Sequence, residues 1–444
     1  MKIVIAGAGE VGTHLSKLLT SENFDILLMD EDADKLQNLE STYDLITLVG
    51  SPTSIHDLRD AGIDGADLFI AVTPMESVNM TACMLASKLG AKKTLARINN
   101  YEYLLPESRE FFEKLGVNHL IYPEVLCARE IVESLSKNWL RENLSFCNGA
   151  LILLGIKIRK SAQILNKKFN SGFFDLEPYR VVAVKRGNTT IIPFGTDLLL
   201  DNDVVYFMTE SKHIEYIRKQ TGKEDFSIKS VMLLGGSKIA QKTLQILPAH
   251  ISSKVIESNR QLSLKLAQKF EKSLIINCDG RNIEALIEEG IQDMDAFVAV
   301  SDNSEANILA CLAAKRFGVK KTVAEVENIH YISLAESMDI GTVINKKMIA
   351  ASYIYQLTLD ADVLNVRTLT QADAEVVEFV AKENSKITQS KIKNIKLPDK
   401  VNLGGYVRNG KAYLINGNSE IKADDHVIVF CVSSAIRKVE KYFN

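Results

Sequence analysis

The sequence lacks the features of a secreted, disulfide-stabilised or membrane-spanning protein. Its six cysteines are scattered over 444 residues without a C-x-x-C pair, a pattern that argues against a disulfide framework and against a metal site. No run approaches the ~18–20 apolar residues that span a bilayer, and the chain does not open with a charged segment followed by an apolar one. We therefore expect a cytosolic protein without disulfides, metal or direct membrane insertion.

Positive charge is scarce in the first part of the chain. Residues 1–136 carry 11 Lys and Arg against 21 Asp and Glu, whereas residues 137–229 carry 15 against 10. A protein that binds nucleic acid needs a basic face to meet the phosphates. The acidic leading region therefore argues against nucleic acid as a partner.

What the chain does contain is a second copy of part of itself. Residues 55–96 and 283–324 are identical at 17 of 42 positions without a gap. Unrelated sequences would match at only a few of these positions, so a duplication is the simplest explanation. Each copy is then expected to fold as one supersecondary unit.

Each copy alternates short apolar runs with helical patterns. In the first copy the runs are KIVIAGAG, DILLMD, LITLVG, LFIAVT and KTLARI. This alternation, sustained over about 120 residues, predicts a doubly wound parallel sheet. A helix and a β-rich segment follow each copy, with hairpin signals at Gly187-Asn188 and Asn409-Gly410. We predict an α/β protein with two Rossmann-like domains, each followed by a small α+β domain.

The predicted boundaries follow from this order. The first Rossmann domain spans 1–136 with a helix to about 140, and the second spans 228–346 with a helix to about 359. The small domains span 141–225 and 360–444. The helices predicted over 124–140 and 347–359 carry apolar stripes, which either close their own domain or cross to a partner lobe and link two sheets.

Residues 3–12 read IVIAGAGEVG, a G-x-G-x-x-G loop between a strand and a helix. Gly7 permits the tight turn, Gly9 lets a pyrophosphate approach the backbone, and Gly12 lets the helix pack closely on the strand. The helix begins at Glu10 and Val11, whose free N–H groups and positive dipole end favour phosphate. The loop therefore predicts a nucleotide site; a purely structural tight turn is the alternative.

An acidic residue stands at the expected distance from this loop. Asp30 ends the second strand, 23 residues after Gly7. A carboxylate there accepts both hydroxyls of an adenosine ribose and repels a 2′-phosphate, so NAD or NADH is favoured over NADP(H). ATP or ADP remains open, because these ligands share the adenosine-phosphate portion.

Other polar residues follow the strands of the first copy, at the edge where ligands of such sheets collect. They are Ser51, Thr53, Thr73 and Arg97. Arg97 is interpreted as a cation for a phosphate, or else as a surface cation or a partner in an intradomain ion pair. Thr73 either touches ligand or caps the next helix. Asn79, which the second copy also has, is interpreted as a brace of the fold.

The second copy has a changed loop, GGSKIA. Ser237 replaces the middle glycine and puts a side chain where a pyrophosphate would press, whereas Ala240 in place of the last glycine is a tolerated change. The acid survives as Glu257, and Glu325 replaces Arg97. We expect the second site to bind a nucleotide more weakly, to bind a different one, or to be an empty scaffold.

Catalytic motifs are absent. The sequence holds no G-x-S-x-G, H-E-x-x-H or G-x-x-x-x-G-K-[ST] pattern, and its seven histidines form no set. A dehydrogenase needs a substrate domain with an acid or base placed against the nicotinamide, and little chain remains for one. A sensor is therefore favoured over an enzyme. The alternatives are an NAD-dependent oxidoreductase that uses the first Rossmann domain and a free-standing scaffold.

The tandem pattern IAGAGEVG…LLMDED…VGSPTS…AVT…LARI, with its trailing β-rich module, resembles the peripheral nucleotide-binding subunits of Trk-type potassium uptake systems. The resemblance covers nearly the whole chain, and it implies a cytosolic ring of lobes docked beneath a separate potassium-translocating membrane protein. It also implies that NAD(H) or adenine nucleotides shift this ring and gate transport. The positions that match the family's nucleotide site are Gly7, Gly9, Gly12, Asp30, Ser51, Thr73 and Arg97.

Two departures from the family pattern stand out. The family usually has an acid where this chain has Ser51, and a third glycine where it has Ser237. The resemblance implies a regulatory subunit at the inner face of the cell membrane that gates a potassium transporter. Paired lobes imply self-association into a dimer or tetramer.

Overall fold

A computed structural model of the chain describes residues 1–20, 24–37, 39–171, 174, 177–187, 189–358, 363–369, 374–432 and 435–444. They fall into two compact units. Unit 1 comprises Met1–Leu126 and Lys347–Thr358, and unit 2 comprises Cys127–Lys346 and Leu359–Asn444. In the described part of the chain, every helix is too short or too polar to cross a membrane.

Unit 1 is built on a six-stranded parallel sheet. Its strands are β1 (Lys2–Ala6), β2 (Asp25–Asp30), β3 (Ile46–Val49), β4 (Leu68–Ala71), β5 (Lys93–Arg97) and β6 (His119–Ile121). Its helices are α1 (Glu10–Thr20), α2 (Ala33–Leu36), α3 (Leu39–Thr42), α4 (Ile55–Asp60), α5 (Glu76–Leu89) and α6 (Pro106–Lys114). The order β3-β2-β1-β4-β5-β6 reverses between β1 and β4, as in doubly wound folds.

The burial of these strands follows their place in the sheet. Every residue of β4 is buried, as is all of β1 after Lys2, because helices cover both faces of a central parallel strand. The edge strand β3 is different, since Ile46 and Val49 are more than half exposed.

Unit 2 begins within the next helix and continues into a small antiparallel sheet. The helices are α7 (Pro123–Ser136), which crosses the boundary between the units, and α8 (Ile214–Gln220). The strands are β7 (Glu142–Phe146), β8 (Leu151–Lys157), β9 (Tyr179–Arg186), β10 (Thr189–Ile191) and β11 (Val204–Thr209), in the order β10-β9-β11-β8-β7.

A second parallel sheet follows in unit 2. Its strands are β12 (Ser230–Leu234), β13 (Ser252–Ile256), β14 (Ser273–Ile276), β15 (Ala296–Ala299), β16 (Lys321–Glu325) and β17 (Thr342–Ile344). Its helices are α9 (Lys238–Ile246), α10 (Arg260–Lys269), α11 (Ile283–Glu288), α12 (Ser304–Arg316) and α13 (Ile329–Ser337). The order β14-β13-β12-β15-β16-β17 repeats that of the first sheet. The fold class predicted from the sequence is therefore confirmed.

The chain ends with a second small sheet that repeats the first. The elements are α14 (Lys346–Gln356), β18 (Val363–Thr368), β19 (Glu375–Val380), β20 (Val401–Arg408), β21 (Lys411–Leu414), β22 (His426–Cys431) and α15 (Ile436–Glu440). The order β18-β19-β22-β20-β21 has the same connectivity as the first small sheet, read from the other edge. The predicted hairpin between β20 and β21 is confirmed, with Asn409 and Gly410 both at positive φ, as a type I′ turn requires.

The two small sheets share one apolar core within unit 2. A Cβ on Gly404 would lie 3.0 Å from Met208 Cε, so the absence of a side chain there lets β20 approach β11 closely. The Asn402 amide donates to the backbone oxygen of Val182 at 2.9 Å. The buried residues of this core include Phe146, Leu151, Leu153, Tyr206, Val376, Val407, Ile428 and Phe430.

The helices after the two parallel sheets do not both stay with their own sheet. Nearly all of α14 belongs to unit 1, although it follows β17 in sequence. In unit 2, Ser134 on α7 donates to the Thr342 hydroxyl on β17 at 3.1 Å. Of the two alternatives for the apolar stripes, these contacts favour helices that cross from one half of the chain to the other.

Three details of the sequence prediction need correction or completion. The helix predicted to reach residue 140 ends at Ser136, and Leu140 instead packs in the core of the first small sheet, whose backbone pairing begins when Arg141 N–H donates to Gly155. The edge strands β7 and β18 were not predicted. Asn188, in the first predicted hairpin, and Leu359, at the end of the second predicted helix, lie outside the described residues. The bounds of the four predicted domains remain a prediction.

Candidate functional site

The first glycine loop has the geometry that its three glycines predict. Gly7 lies at φ +109°, and its N–H donates to the Met29 oxygen at 2.8 Å. A Cβ on Gly12 would lie only 1.8 Å from the Gly7 oxygen, so helix α1 can pack here only without a side chain. Around Gly9, by contrast, an added Cβ would meet no atom of the described residues within 4 Å. The loop is therefore closed on the side of the sheet and open over Gly9.

Helix α1 starts directly behind this open space. Thr13 N–H donates to the Gly9 oxygen at 2.9 Å. The N–H groups of Glu10, Val11 and Gly12 precede that bond and have no intrahelical acceptor. Together with the positive end of the helix dipole they suit an anion.

Asp30 lies where the prediction places it and also holds the loop together. Its Oδ2 accepts from Ala8 N–H at 2.7 Å, and its Oδ1 accepts from Asp32 N–H at 3.0 Å. Lys35 Nζ lies 3.4 Å from Oδ1. The side chain is 12% exposed, so a ligand can still reach the carboxylate, and Oδ2, with one donor, carries a further lone pair.

Ser51 and Thr53 follow β3, next to the end of β2. The N–H of Gly50 donates to the Asp30 backbone oxygen at 3.0 Å, which ties this loop to the acid. Ser51 N–H donates to Asp57 Oδ2 at 2.8 Å, and the hydroxyls of Ser51 and Thr53 lie 3.1 Å apart. The structure thus brings both hydroxyls to the edge that carries Asp30.

Thr73 is held mainly by the fold. Its hydroxyl donates to Asn79 Oδ1 at 2.7 Å and accepts from Met75 N–H at 3.3 Å, which favours the helix-start role over contact with a ligand. The Asn79 amide donates to the oxygens of Thr73 and Arg97 and joins the ends of β4 and β5. Asn307 makes the same four hydrogen bonds in unit 2, with Ser301 and Glu325. The interpretation of Asn79 as a brace is confirmed.

Arg97 ends β5 and forms an intradomain ion pair. Its Nη2 lies 3.3 Å from Oε1 of Glu124, whose side chain is buried. Arg97 Nε and Glu124 Oε2 have no hydrogen-bond partner among the described residues. The pair leaves part of the guanidinium unsatisfied at the carboxyl edge of the sheet.

Lys347 was not foreseen from the sequence. Its side chain is 13% exposed, and its Nζ lies 3.1 Å from Oε2 of Glu10, at the start of α1. Burial, then Lys17, then Lys347 lower the pKa of His14, one turn further along α1. A cation from α14 therefore stands beside the predicted phosphate position, 337 residues away in sequence. Only an apolar stripe on α14 hinted at this contact.

The second glycine loop keeps the hydrogen bond between loop and acid, but side chains occupy the space that is open in the first loop. Glu257 Oε2 accepts from Gly236 N–H at 2.7 Å, as Asp30 does from Ala8. A Cβ on Gly236 would lie 2.5 Å from Leu266 Cδ1, so the space beside the acid is occupied. The Ser237 hydroxyl accepts from Ala240 N–H at 3.3 Å and occupies a helix N–H that a phosphate would need.

Family models match both halves of the chain. The TrkA-N domain matches residues 3–123 and 231–346, and the TrkA-C domain matches 153–222 and 376–444. The Trk system potassium uptake protein TrkA of Haemophilus influenzae is 32% identical over 452 residues, covering 100% of this chain and 98% of the relative. A homologue of that name from Methanosarcina mazei is 30% identical and covers 100% of both chains.

Solved structures agree in fold. The GsuK RCK domain superposes with a TM-score of 0.63 at 13% identity, covering 100% of this chain and 94% of that one. The GsuK channel bound to NAD gives a TM-score of 0.63 at 12% identity, covering 100% of this chain and 78% of that one. At such identity the likeness shows the fold alone.

Proposed function

The chain belongs to the TrkA family of Trk-system potassium uptake proteins, and from that premise we propose that it is the regulatory subunit of a potassium transporter. In this role it binds a nucleotide in the first Rossmann-like domain and gates a separate potassium-translocating membrane protein. It acts from the cytoplasm at the inner face of the membrane and self-associates through paired lobes, as a dimer or tetramer.

One observation carries the proposal: the first glycine loop leaves open space over Gly9 between a helix N-terminus and the Asp30 carboxylate. An adenosine diphosphate group matches both features, because its phosphates suit the N–H groups and its ribose hydroxyls suit the acid. NAD or NADH is the favoured ligand, with ATP or ADP as alternatives. The GsuK channel structure with NAD supports this choice by fold.

A route for the signal starts at Lys347. Its ammonium pairs with Glu10 at the start of α1, where the phosphates of a bound nucleotide would lie. A phosphate would compete with Glu10 for the Lys347 ammonium. Nucleotide binding would therefore change the ion pair that joins α14 to α1. Because α14 leads into the second small sheet, nucleotide occupancy in unit 1 would reach the second half of the chain.

A regulatory role also fits the polar groups at this edge better than catalysis does. Thr73 and Arg97 are engaged by Asn79 and Glu124, and His14 lies part-buried on α1. None of these is placed as a free acid or base for hydride chemistry. The oxidoreductase alternative predicts that NADH is consumed in the presence of carbonyl substrates.

Calorimetry of the full chain with NADH, NAD, ATP and ADP tests the ligand. Asp30→Ala should weaken binding by about 1–3 kcal/mol, the scale of lost hydrogen bonds to a charged group. Asp32→Ala, which removes a neighbouring exposed carboxylate, is the matched control and should bind normally. Equal affinity of all three proteins would refute the site.

Two further measurements distinguish the regulatory subunit from the oxidoreductase and from a free-standing scaffold. NADH mixed with the chain and a panel of carbonyl compounds should keep its absorbance, whereas its loss would establish the oxidoreductase. Potassium uptake into vesicles that carry a Trk-type membrane partner should depend on added chain and on nucleotide. Potassium uptake that does not change when the chain is added would favour the alternative of a free-standing scaffold.

A further inference from the structure

Three side chains with metal-ligating atoms meet in unit 2. They are Cys147, directly after β7, Glu378 on β19 and His426 on β22. One donor atom from each lies within 4.8 Å of the other two. Cys147 and Glu378 are 231 residues apart, so no sequence spacing could have indicated the cluster.

The backbone of both small sheets positions these groups. Glu378 pairs with Ile428 and Val380 pairs with His426, so Glu378 and His426 are diagonal neighbours on one face. His426 Nδ1 lies 2.9 Å from Glu378 Oε1. Cys147 has a positive φ of 50°, and its N–H donates to Glu378 Oε2 at 3.1 Å. The carboxylate therefore joins the first small sheet to the second.

The set of donors selects one class of ion. A thiolate, an imidazole and a carboxylate are ligands of Zn²⁺, whereas Mg²⁺ and Ca²⁺ prefer oxygen atoms only. Bonds of about 2.0–2.3 Å in a tetrahedron put ligand atoms about 3.3–3.8 Å apart, so small side-chain rotations close the cluster. Glu378 is buried, while His426 is 39% exposed and leaves an entry path for the ion.

We propose that Cys147, Glu378 and His426 form a Zn²⁺ site that fastens the first small sheet to the second, with water as the fourth ligand. The three residues come from both sheets, and the shared apolar core already holds those sheets together. The ion would displace the proton between His426 and Glu378 and the proton of the Cys147 thiol. Bound Zn²⁺ would then stabilise unit 2 by mass action.

Two other roles for the cluster make different predictions. A hydrogen-bonded brace, in which Glu378 serves the Cys147 N–H and the His426 ring, needs no metal. A reactive cysteine is disfavoured, because burial and then Glu378 raise the pKa of the Cys147 thiol. Metal binding is the measurement that separates the proposal from both.

The experiment uses the full chain, free of tags and treated with EDTA. Zn²⁺ is titrated by calorimetry, and Co²⁺ serves as an optical probe through its thiolate charge-transfer absorption. We expect one equivalent of Zn²⁺, and a Co²⁺ thiolate band. Cys147→Ser and His426→Gln should each weaken Zn²⁺ binding more than about 100-fold, since the loss of an outer-shell partner alone costs 10–100-fold.

The matched control is Cys278→Ser, which removes another half-buried free cysteine of unit 2. It should bind Zn²⁺ like the parent chain. Circular dichroism of the metal-free variants checks that they fold, and Zn²⁺ should raise the melting temperature of the parent and control only. Absence of one bound equivalent, binding retained in both ligand variants, or displacement of Zn²⁺ by equimolar Mg²⁺ or Ca²⁺ would each overturn the proposal.

Discussion

The first and second parallel sheets can be compared residue by residue, because the duplication left the same features at matching points. Both sheets have the strand order of a doubly wound fold. Asn79 and Asn307 each make four hydrogen bonds across the ends of two strands. Asp30 and Glu257 each accept an N–H of the adjacent loop. These features hold the loops, and both copies keep them.

The loops themselves differ in the space that they leave. Over Gly9 an added Cβ would meet nothing within 4 Å in the part of the chain that the structure describes, whereas Ser237 places a hydroxyl on the helix N-terminus. The side chains that brace the two loops are therefore common to both copies, whereas the open space for a nucleotide depends on the absence of a side chain at Gly9. A mutation can therefore fill the site without disturbing the fold.

The sheets also differ after their last long helix. Gly116 in unit 1 and Asp339 in unit 2 each lie three residues before the final strand, both at positive φ. In unit 2 the aspartate holds four cations: Arg141 at 2.5 Å, Lys157 at 3.0 Å, Lys315 at 3.2 Å, and Arg159. Arg141 and Lys157 also line a cavity of about 300 Å³.

Removing the Asp339 charge should lower the stability of unit 2 more than any other change considered below. Asp339→Asn keeps the shape and tolerates the positive φ, but leaves four cations without their shared anion. Loss of one partner from a buried ion pair costs about 3–5 kcal/mol, and Asp339 should lie near the low end because it is part-exposed. Urea denaturation should show unit 2 unfolding at a lower midpoint. Asp279→Asn, which breaks the exposed pair with Arg281, should leave the midpoint unchanged.

The next effect tests whether the two asparagine braces are equivalent. Asn79→Ala and Asn307→Ala should each lower the free energy of unfolding of their own unit by about 2–3 kcal/mol, since buried strand-end oxygens lose their donor. Asn79→Asp keeps the acceptor but sets a buried carboxylate against the Thr73 and Arg97 oxygens, and should cost at least as much as Asn79→Ala. Urea midpoints measure all three. A large loss for only one of the two alanine variants would show that the two asparagines do not brace their sheets equally.

The parallel strands, the glycine loop and Asp30 could be predicted because their signals are local. An apolar run, a turn and an acid within 30 residues report on one βαβ unit. The exchange of α14 could not be predicted, because an apolar stripe looks the same whichever sheet it covers. Lys347 was missed for that reason.

Other misses have a similar cause. The edge strand β7 reads ENLSF, without the continuous apolar run of a buried strand. Cys147, Glu378 and His426 come together only through strand pairing and the contact between the two small sheets. Sequence spacing contains no information on such contacts.

A moderate effect on ligand affinity should follow from exchanging the middle residue of the two loops. Gly9→Ser should weaken nucleotide binding about tenfold or more, a loss of at least 1.4 kcal/mol, with an unchanged urea midpoint. Gly12→Ala, whose Cβ would meet the Gly7 oxygen, should lower both affinity and midpoint. Calorimetry and urea denaturation together separate the two variants. Ser237→Gly alone should not create a second site, because Leu266 still fills the space beside Glu257.

The smallest effect concerns pH and compares His14 with Lys242, the matching residue of the second copy. Burial, Lys17 and Lys347 lower the pKa of His14, so the unfolded chain takes up its proton at a higher pH than the folded chain does. Stability of unit 1 should therefore fall as pH drops below 6.5, until His14 is protonated in the folded chain as well. His14→Gln should reduce this fall in the urea midpoint between pH 7.5 and 5.5; part of the slope should remain, because burial, Lys93 and Arg109 lower the pKa of His119 in the same unit. Lys242→Gln is the control. Burial and then Lys269 lower the pKa of Lys242 from 10.5, so Lys242 contributes to the pH dependence of stability only at alkaline pH. An acid-side slope as steep in His14→Gln as in the parent chain would mean that the cations around α1 do not contribute to the pH dependence of unit 1.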